Sequence, residues 1–210
     1  MGVRPLKFLL IGLQFMANLI TLDEYKTSEK IESTKEDARL NLLIASVSQL
    51  VKTYCNNTIL DHYSSNKTEL FSIDYSLTSV QLSESPVNAI VSVKERSSIG
   101  VAYTTLAANT DYYLDSVTDS IFRSNGATGY KSFPRGPGAV EVVYTAGWST
   151  CPEDLKLAVI DLIRYYFKDE HKARQTMSGS SLQNNSSSSQ RDNVGFPDHI
   201  KRVLDLYKSY

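Results

Sequence analysis

Apolar positions recur along this chain with two periods, and the change from one to the other marks the elements. Leu40, Leu43, Ile44, Val47, Leu50, Val51 and Tyr54 fall at steps of three and four, which lines one face of a helix. That spacing predicts a long helix from about 34 to 54, opened by Ser33 with Glu36 as a capping box and ended at Asn56 and Asn57. Thr21 with Glu24 repeats the box and predicts a short helix before it. From about 59 to 145 the step shortens to two. Val87, Ala89, Val91 and Val93 alternate with Asn88, Ser92 and Lys94, and Val140, Val142 and Tyr144 alternate with Glu141, Val143 and Thr145, the pattern of half-buried strands. Hairpins are expected between the neighbourhood of Ser92 to Glu95 and Val101 to Thr104, and between Tyr112 to Asp115 and Ile121 to Arg123. The stretch from Gly126 to Gly138, with Pro134 and Pro137, reads as a loop.

Gly147 permits a tight reversal after the last strand, and Pro152 suits the first turn of a helix, with Glu153 and Asp154 where the dipole favours negative charge. The helix runs to about 172. It carries two stripes, Leu155, Val159, Leu162, Tyr166 and Ile160, Ile163, Phe167, so it is covered on more than one side. Trp148, Ile160, Ile163 and Phe167 are accordingly candidates either for a core under the sheet or for contacts between subunits. From Gln175 to Gly195 apolar residues are sparse and Ser and Asn abound, so this segment is expected to be a flexible linker. Phe196, Ile200, Val203, Leu204 and Tyr207 return to helical steps. A helix so short needs a surface to dock on.

The expected architecture is α+β: a small helical bundle with a β-rich insertion between the first long helix and the second, and a flexible C-terminal arm. Its divisions are an extension at 1–20, helices at 21–58, the insertion at 59–148, a core helix at 149–174, the linker at 175–195 and a docking helix at 196–210.

With 210 residues the chain can bury a core without disulfides or metals. A formal net charge of −1 argues against a dedicated nucleic-acid binder. Arg4 and Lys7 precede an apolar run from Phe8 to Ile20 that imitates a signal peptide, but the run is too short to cross a bilayer comfortably and lacks a small-x-small cleavage site. No membrane association is expected. Cys55 and Cys151 stand alone and read as packed, reduced thiols. His62, His171 and His199 lie apart in polar surroundings and read as surface histidines. Asp111 with Asp115, or Asp115 with Asp119, gives only a D-x-x-x-D pair in an expected hairpin, without the further ligand positions and the glycine of a calcium loop, and these aspartates read as turn caps. No nucleophile elbow, phosphate loop or dinucleotide motif occurs. No catalytic, cofactor-binding or metal-ligating residue is assigned, and no cofactor is expected. Lys168, Lys172 and Arg174 form a modest basic patch at the end of the second long helix, a solvated helix end by default.

Several of these pieces, in this order, resemble the head-to-tail connector (adaptor, head-completion) proteins of tailed bacteriophages. They are Ile20 to Lys26, Ala38 to Tyr54, Thr110-Asp111-Tyr112, the run Val140 to Trp148 followed by Pro152-Glu153-Asp154-Leu155, and Pro197 to Tyr210. The likeness begins near Met16 and is weakest from His62 to Ser98, and the first fifteen residues look like an upstream start or an extension. The resemblance implies a structural virion protein, assembled in the bacterial host cytoplasm and located in the neck. It implies a ring of about twelve copies between portal and tail, a next neck or tail-completion protein beyond it, and transient, non-specific contact with DNA in a central channel. On that reading Phe196, Pro197, Ile200, Val203, Leu204 and Tyr207 dock on the portal or a neighbouring subunit, and Lys168, Lys172 and Arg174 face DNA. Two alternatives stay open: a secreted carbohydrate-binding module or hydrolase using a tyrosine-lined sheet (Tyr103, Tyr112, Tyr113, Tyr144), and a tail-completion ring protein.

Overall fold

A computed structural model describes residues 17–126, 129–168 and 196–209. The first helix, α1 (Leu22–Glu29), is opened by the expected box: the Glu24 N–H donates to Thr21 Oγ1 at 3.2 Å and the Thr21 N–H to Glu24 Oε2 at 2.7 Å. The second, α2 (Asp37–Cys55), begins later than its predicted cap. A turn closed by the Asp37 N–H on the Thr34 carbonyl occupies the backbone there, and Ser33 Oγ accepts from Lys35 instead. Asn56 ends α2 in the left-handed conformation, one of the few non-glycine residues that tolerate it.

Strands β1 (Lys67–Ile73), β2 (Ser79–Gln81), β3 (Val87–Glu95), β4 (Thr104–Thr105), β5 (Tyr112–Asp115), β6 (Ser120–Arg123) and β7 (Gly136–Ala146) form two antiparallel sheets. One has the order β1-β7-β3-β4 and the other β2-β6-β5. Both expected hairpins form, the first shortened to Lys94↔Thr105 and Glu95↔Thr104, the second in the register Tyr112↔Arg123 to Asp115↔Ser120. The single apolar face expected for β3 does not form. Ile90 opposes Tyr144 and Val93 opposes Val142, so β3 spends one residue more than β7 between those pairs, and a similar shift separates Val87 from Ala89. Each extra residue swaps the faces: Val93 is buried and Val91 is 55% exposed. The loop expected up to Gly138 ends sooner, because β7 already begins at Gly136. Pro137 has no N–H to give, but its carbonyl and that of Gly138 are engaged by Arg96, with Tyr103 adding a bond to Gly138.

After β7 come α3 (Glu153–Phe167) and α4 (Asp198–Asp205). The described residues form two apolar cores. Leu40, Ile44, Val47 and Val51 of α2 pack with Leu155, Val159, Leu162 and Ile163 of α3 and with Leu19, Ile20, Tyr25 and Ile59. Val93, Val140, Val142 and Tyr144 of the larger sheet pack against Val80, Tyr112 and Ile121 of the smaller. The two cores are joined at Gly147, which sits at φ +94° and is so close to Ile59 that a Cβ would lie 2.3 Å from its carbonyl oxygen. Trp148 N–H donates to that same carbonyl at 2.8 Å, and Ala146 N–H to the His62 carbonyl at 3.0 Å. No described helix is long and apolar enough to cross a membrane.

Candidate assembly surfaces

The C-terminal helix is where structure and sequence expectation part most clearly. Phe196, Ile200 and Leu204, expected to be offered to a partner, are buried in this chain's own helical core. Phe196 meets the Tyr54 ring edge to face at 5.0 Å, the Tyr54 hydroxyl donates to Asp205 Oδ1 at 2.7 Å, and the Ser209 N–H donates to the Cys55 carbonyl at 2.9 Å. The reason is a shortage of cover: α2 and α3 expose an apolar groove, and α4 fills it with side chains worth about 1.5–3 kcal/mol each when fully buried. Pro197, Val203 and Tyr207 stay partly exposed. Tyr207 stacks edge to face on Trp148 at 5.5 Å and donates its hydroxyl to Asp154, which draws the Asp154 carboxyl below its usual range.

Ile160 and Ile163 belong to the same core, with Trp148 and Phe167 packed at its rim. Phe167 also lies under the Arg39 guanidinium, 4.9 Å from the ring centre. Within the single chain, then, both stripes of α3 are covered. Lys168 is exposed at the C-terminal end of α3; Lys172 and Arg174 lie outside the described residues.

Among the described residues the acidic groups, histidines, tyrosines and thiols are each engaged separately. Asp115 caps its turn, accepting from the Val117 N–H at 3.0 Å and the Thr118 hydroxyl at 2.8 Å, and those bonds hold its carboxyl below the usual range. Asp119 accepts from the Val87 N–H and Asp111 from the Ala107 N–H. Among the described residues no group of three or more potential ligands could hold a metal ion. His199 is exposed as expected and His171 lies outside the described residues, but His62 is buried beside the junction, its Nδ1 without a hydrogen bond among them. Nor do the tyrosines form a platform: Tyr112 and Tyr144 point into the sheet core while Tyr113 faces out. Tyr144 is fixed there by its hydroxyl bond to Glu69 Oε1 at 2.7 Å. Burial, and then that carboxylate, push its ionisation far above the usual tyrosine value. Both thiols are buried in apolar surroundings that raise them to about 12, so neither is a nucleophile at neutral pH.

What the structure does assemble is an apolar outer face on the smaller sheet, which sequence reasoning missed. Tyr113 and Phe122 are direct cross-strand partners, and the Tyr130 ring lies 5.9 Å from Phe122. Tyr113 is 57% exposed, Tyr130 73% and Val117, at the tip of the β5–β6 turn, 89%. The signal was present as alternation: in both strands the residue next to the buried one is aromatic, where a solvated strand would place a polar side chain. The larger sheet adds Leu70 and Val91 on its outer face, interrupted by the Lys94–Glu141 ion pair at 2.7 Å.

The chain is similar to known proteins both in sequence and in fold. A curated relative, the head completion protein of Escherichia phage T5, is 32% identical over 72 residues, which are 34% of this chain and 39% of that protein. The match thus spans well under half of the curated relative. Among solved structures, the neck of an empty gene transfer agent particle computed with C6 symmetry contains a chain of similar fold, at TM-score 0.60 and 15% identity, covering 91% of this chain and 90% of that one. The neck of the native particle, computed with C12 symmetry, contains one at TM-score 0.54 and 14% identity, covering 92% and 94%. The head completion protein family, as a sequence profile, matches residues 18–210, a span that opens one residue before the buried Leu19, and the chain belongs to that family.

Proposed function

We propose that this chain is a structural subunit of the phage neck, with no enzymatic step of its own, which joins the portal of the head to the tail as a ring of about twelve copies. The family match from residue 18 to the C-terminus carries the reading. The twelvefold symmetry of a neck containing the same fold supports the copy number. The ring meets the portal on one side and the next neck or tail-completion protein on the other, and DNA passes through its channel. The outward aromatic face of Tyr113, Phe122 and Tyr130 is the contact surface best suited to a neighbour, because aromatic side chains contribute large area at small entropic cost. Pro197, Val203 and Tyr207, with Trp148 beside them, form a second, partly exposed contact surface on the helical lobe. Lys168, Lys172 and Arg174 serve as weak, sequence-independent contacts to the DNA backbone.

Sedimentation of the purified protein, alone and mixed with portal, combined with negative-stain imaging, tests this. Annular particles of about twelve subunits that associate with portal are expected. A chain that stays monomeric in the presence of portal overturns the proposal.

A further inference from the structure

The chain enters its helical core through a set of contacts that hold the backbone at Ala17. Leu19 and Ile20 are buried, and the Leu19 N–H donates to Ser48 Oγ at 3.0 Å. Two residues earlier, the Ala17 carbonyl accepts from Lys52 Nζ at 2.7 Å and the Ala17 N–H donates to Asp61 Oδ1 at 2.9 Å. Lys52 Nζ also pairs with Asp61 Oδ1 at 2.6 Å, and the two side chains are only 2% and 9% exposed. Asp61 Oδ1 therefore takes two donors. Asp61 Oδ2 is equally buried and takes none among the described residues.

A buried carboxylate oxygen without a donor is costly, more so than a neutral one. The amide nitrogen of Ala17 cannot help, because its single hydrogen is spent on Oδ1. An α-ammonium at the same position has three hydrogens and a positive charge. One would keep the bond to Oδ1, and the others could serve Oδ2 and solvent, since Ala17 itself is exposed. The carboxylate would then be shared between two cations, with the second at the wet rim where desolvation is small. The preceding residue is Met16 and the family match begins at residue 18.

We infer that the mature polypeptide begins at Ala17 and that its α-ammonium is the missing partner of Asp61. Translation initiates at Met16 and the initiator is deformylated. A methionine-specific aminopeptidase then hydrolyses the Met16–Ala17 amide: the C–N bond breaks, the oxygen of water goes to the methionine carboxylate, and its hydrogens leave Ala17 with a free, protonated amine. Alanine is small enough at the second position for that cleavage. Lys52, held by the Ala17 carbonyl, and Ser48, held by Leu19, position the new terminus against Asp61.

Two measurements test this, and neither depends on the adaptor reading. The whole reading frame, expressed in bacteria with its native upstream sequence, is purified and its intact mass measured. A mass for residues 17–210 is expected; a chain retaining Met1 or Gly2 overturns the inference. The pairing is tested by melting chains started at Met1 and at Met16, each with and without Asp61→Asn. The substitution is expected to lower the midpoint by at least about 3 °C more in the chain that begins with a free Ala17 amine, and an equal loss in both overturns the ion pair. Should Asp61→Asn not fold, the unsubstituted chains decide: the Ala17 chain melts higher and acetylation of its amine removes the gain, whereas equal midpoints overturn the pairing.

Discussion

Gly147 concentrates in one residue what joins the two lobes. Its left-handed φ alone costs a side-chain-bearing residue about 1–2 kcal/mol, and a Cβ there would collide with the Ile59 carbonyl. Gly147→Ala is therefore expected to destabilise the fold by more than about 2 kcal/mol, read as a lowered midpoint in urea. Nearby, Glu69 gives the molecule an acid limit. Burial alone would raise its carboxyl, but hydrogen bonds from Ser83, Lys67 and Tyr144 outweigh it and hold the carboxyl below its ordinary value of 4.5. A group depressed in the folded state contributes stability above its unfolded pKa and loses it as pH falls through the folded one. Stability is thus expected to fall below about pH 4.5, and Glu69→Gln to flatten that limb of a pH series of melts. Cys55 and Cys151, raised to about 12 by burial, are expected to resist a disulfide reagent at pH 8 in the native protein and to react together once guanidinium unfolds it. Gly147 and the two thiols were legible in the sequence as a turn and as packed groups. Glu69 was not, because nothing in its neighbours reveals that Tyr144, far along the chain, points at it.

Among the elements, α4 was legible in the sequence as an amphipathic helix that needs a surface to dock on, while the structure supplies that surface from the chain's own core. Periodicity gives the buried face of a helix but not the identity of what covers it. Leu204, fully buried between α2 and α3, separates the two cases: Leu204→Ala is expected to cost about 2–5 kcal/mol by chemical denaturation, whereas a free arm would show almost nothing. Removing 175–210 is for the same reason expected to destabilise the helical lobe rather than leave it intact. In the sheets, alternation located the strands, but the shifts in β3 were invisible because an extra residue is spent only relative to a partner strand. Arg123, at the end of β6, shows the same limit. It makes a two-pronged pair with Glu95, both contacts at 2.9 Å, and donates to the Asp111 and Ser124 carbonyls while its side chain is 4% exposed. Breaking such a buried pair from one side costs about 3–5 kcal/mol, and lysine cannot reproduce the fork, so Arg123→Ala and Arg123→Lys are both expected to lower the thermal midpoint clearly.

For the whole molecule, the separation into a helical core and a sheet core leaves the outer face of the smaller sheet free of internal duty. Tyr113→Ser with Tyr130→Ser is expected to leave monomer stability within about 0.5 kcal/mol, as surface changes usually do, while weakening assembly in sedimentation. Loss of folding instead would make these side chains structural. The two measurements divide the chain into what holds it together and what it offers to neighbours.

The sequence by itself determined the class of the fold, the order of its helices around a β-rich middle, the Thr21–Glu24 cap, the second hairpin, the reversal at Gly147 and, through the arrangement of its motifs, the family. These are properties of short windows, where periodicity and turn chemistry act directly. Only the tertiary structure decided that α4 closes its own core, that β3 changes faces twice, that His62 is buried, and that an aromatic face rather than the C-terminal stripe lies open. Each depends on which distant surface arrives to cover a given side chain, and burial is settled by that arrival.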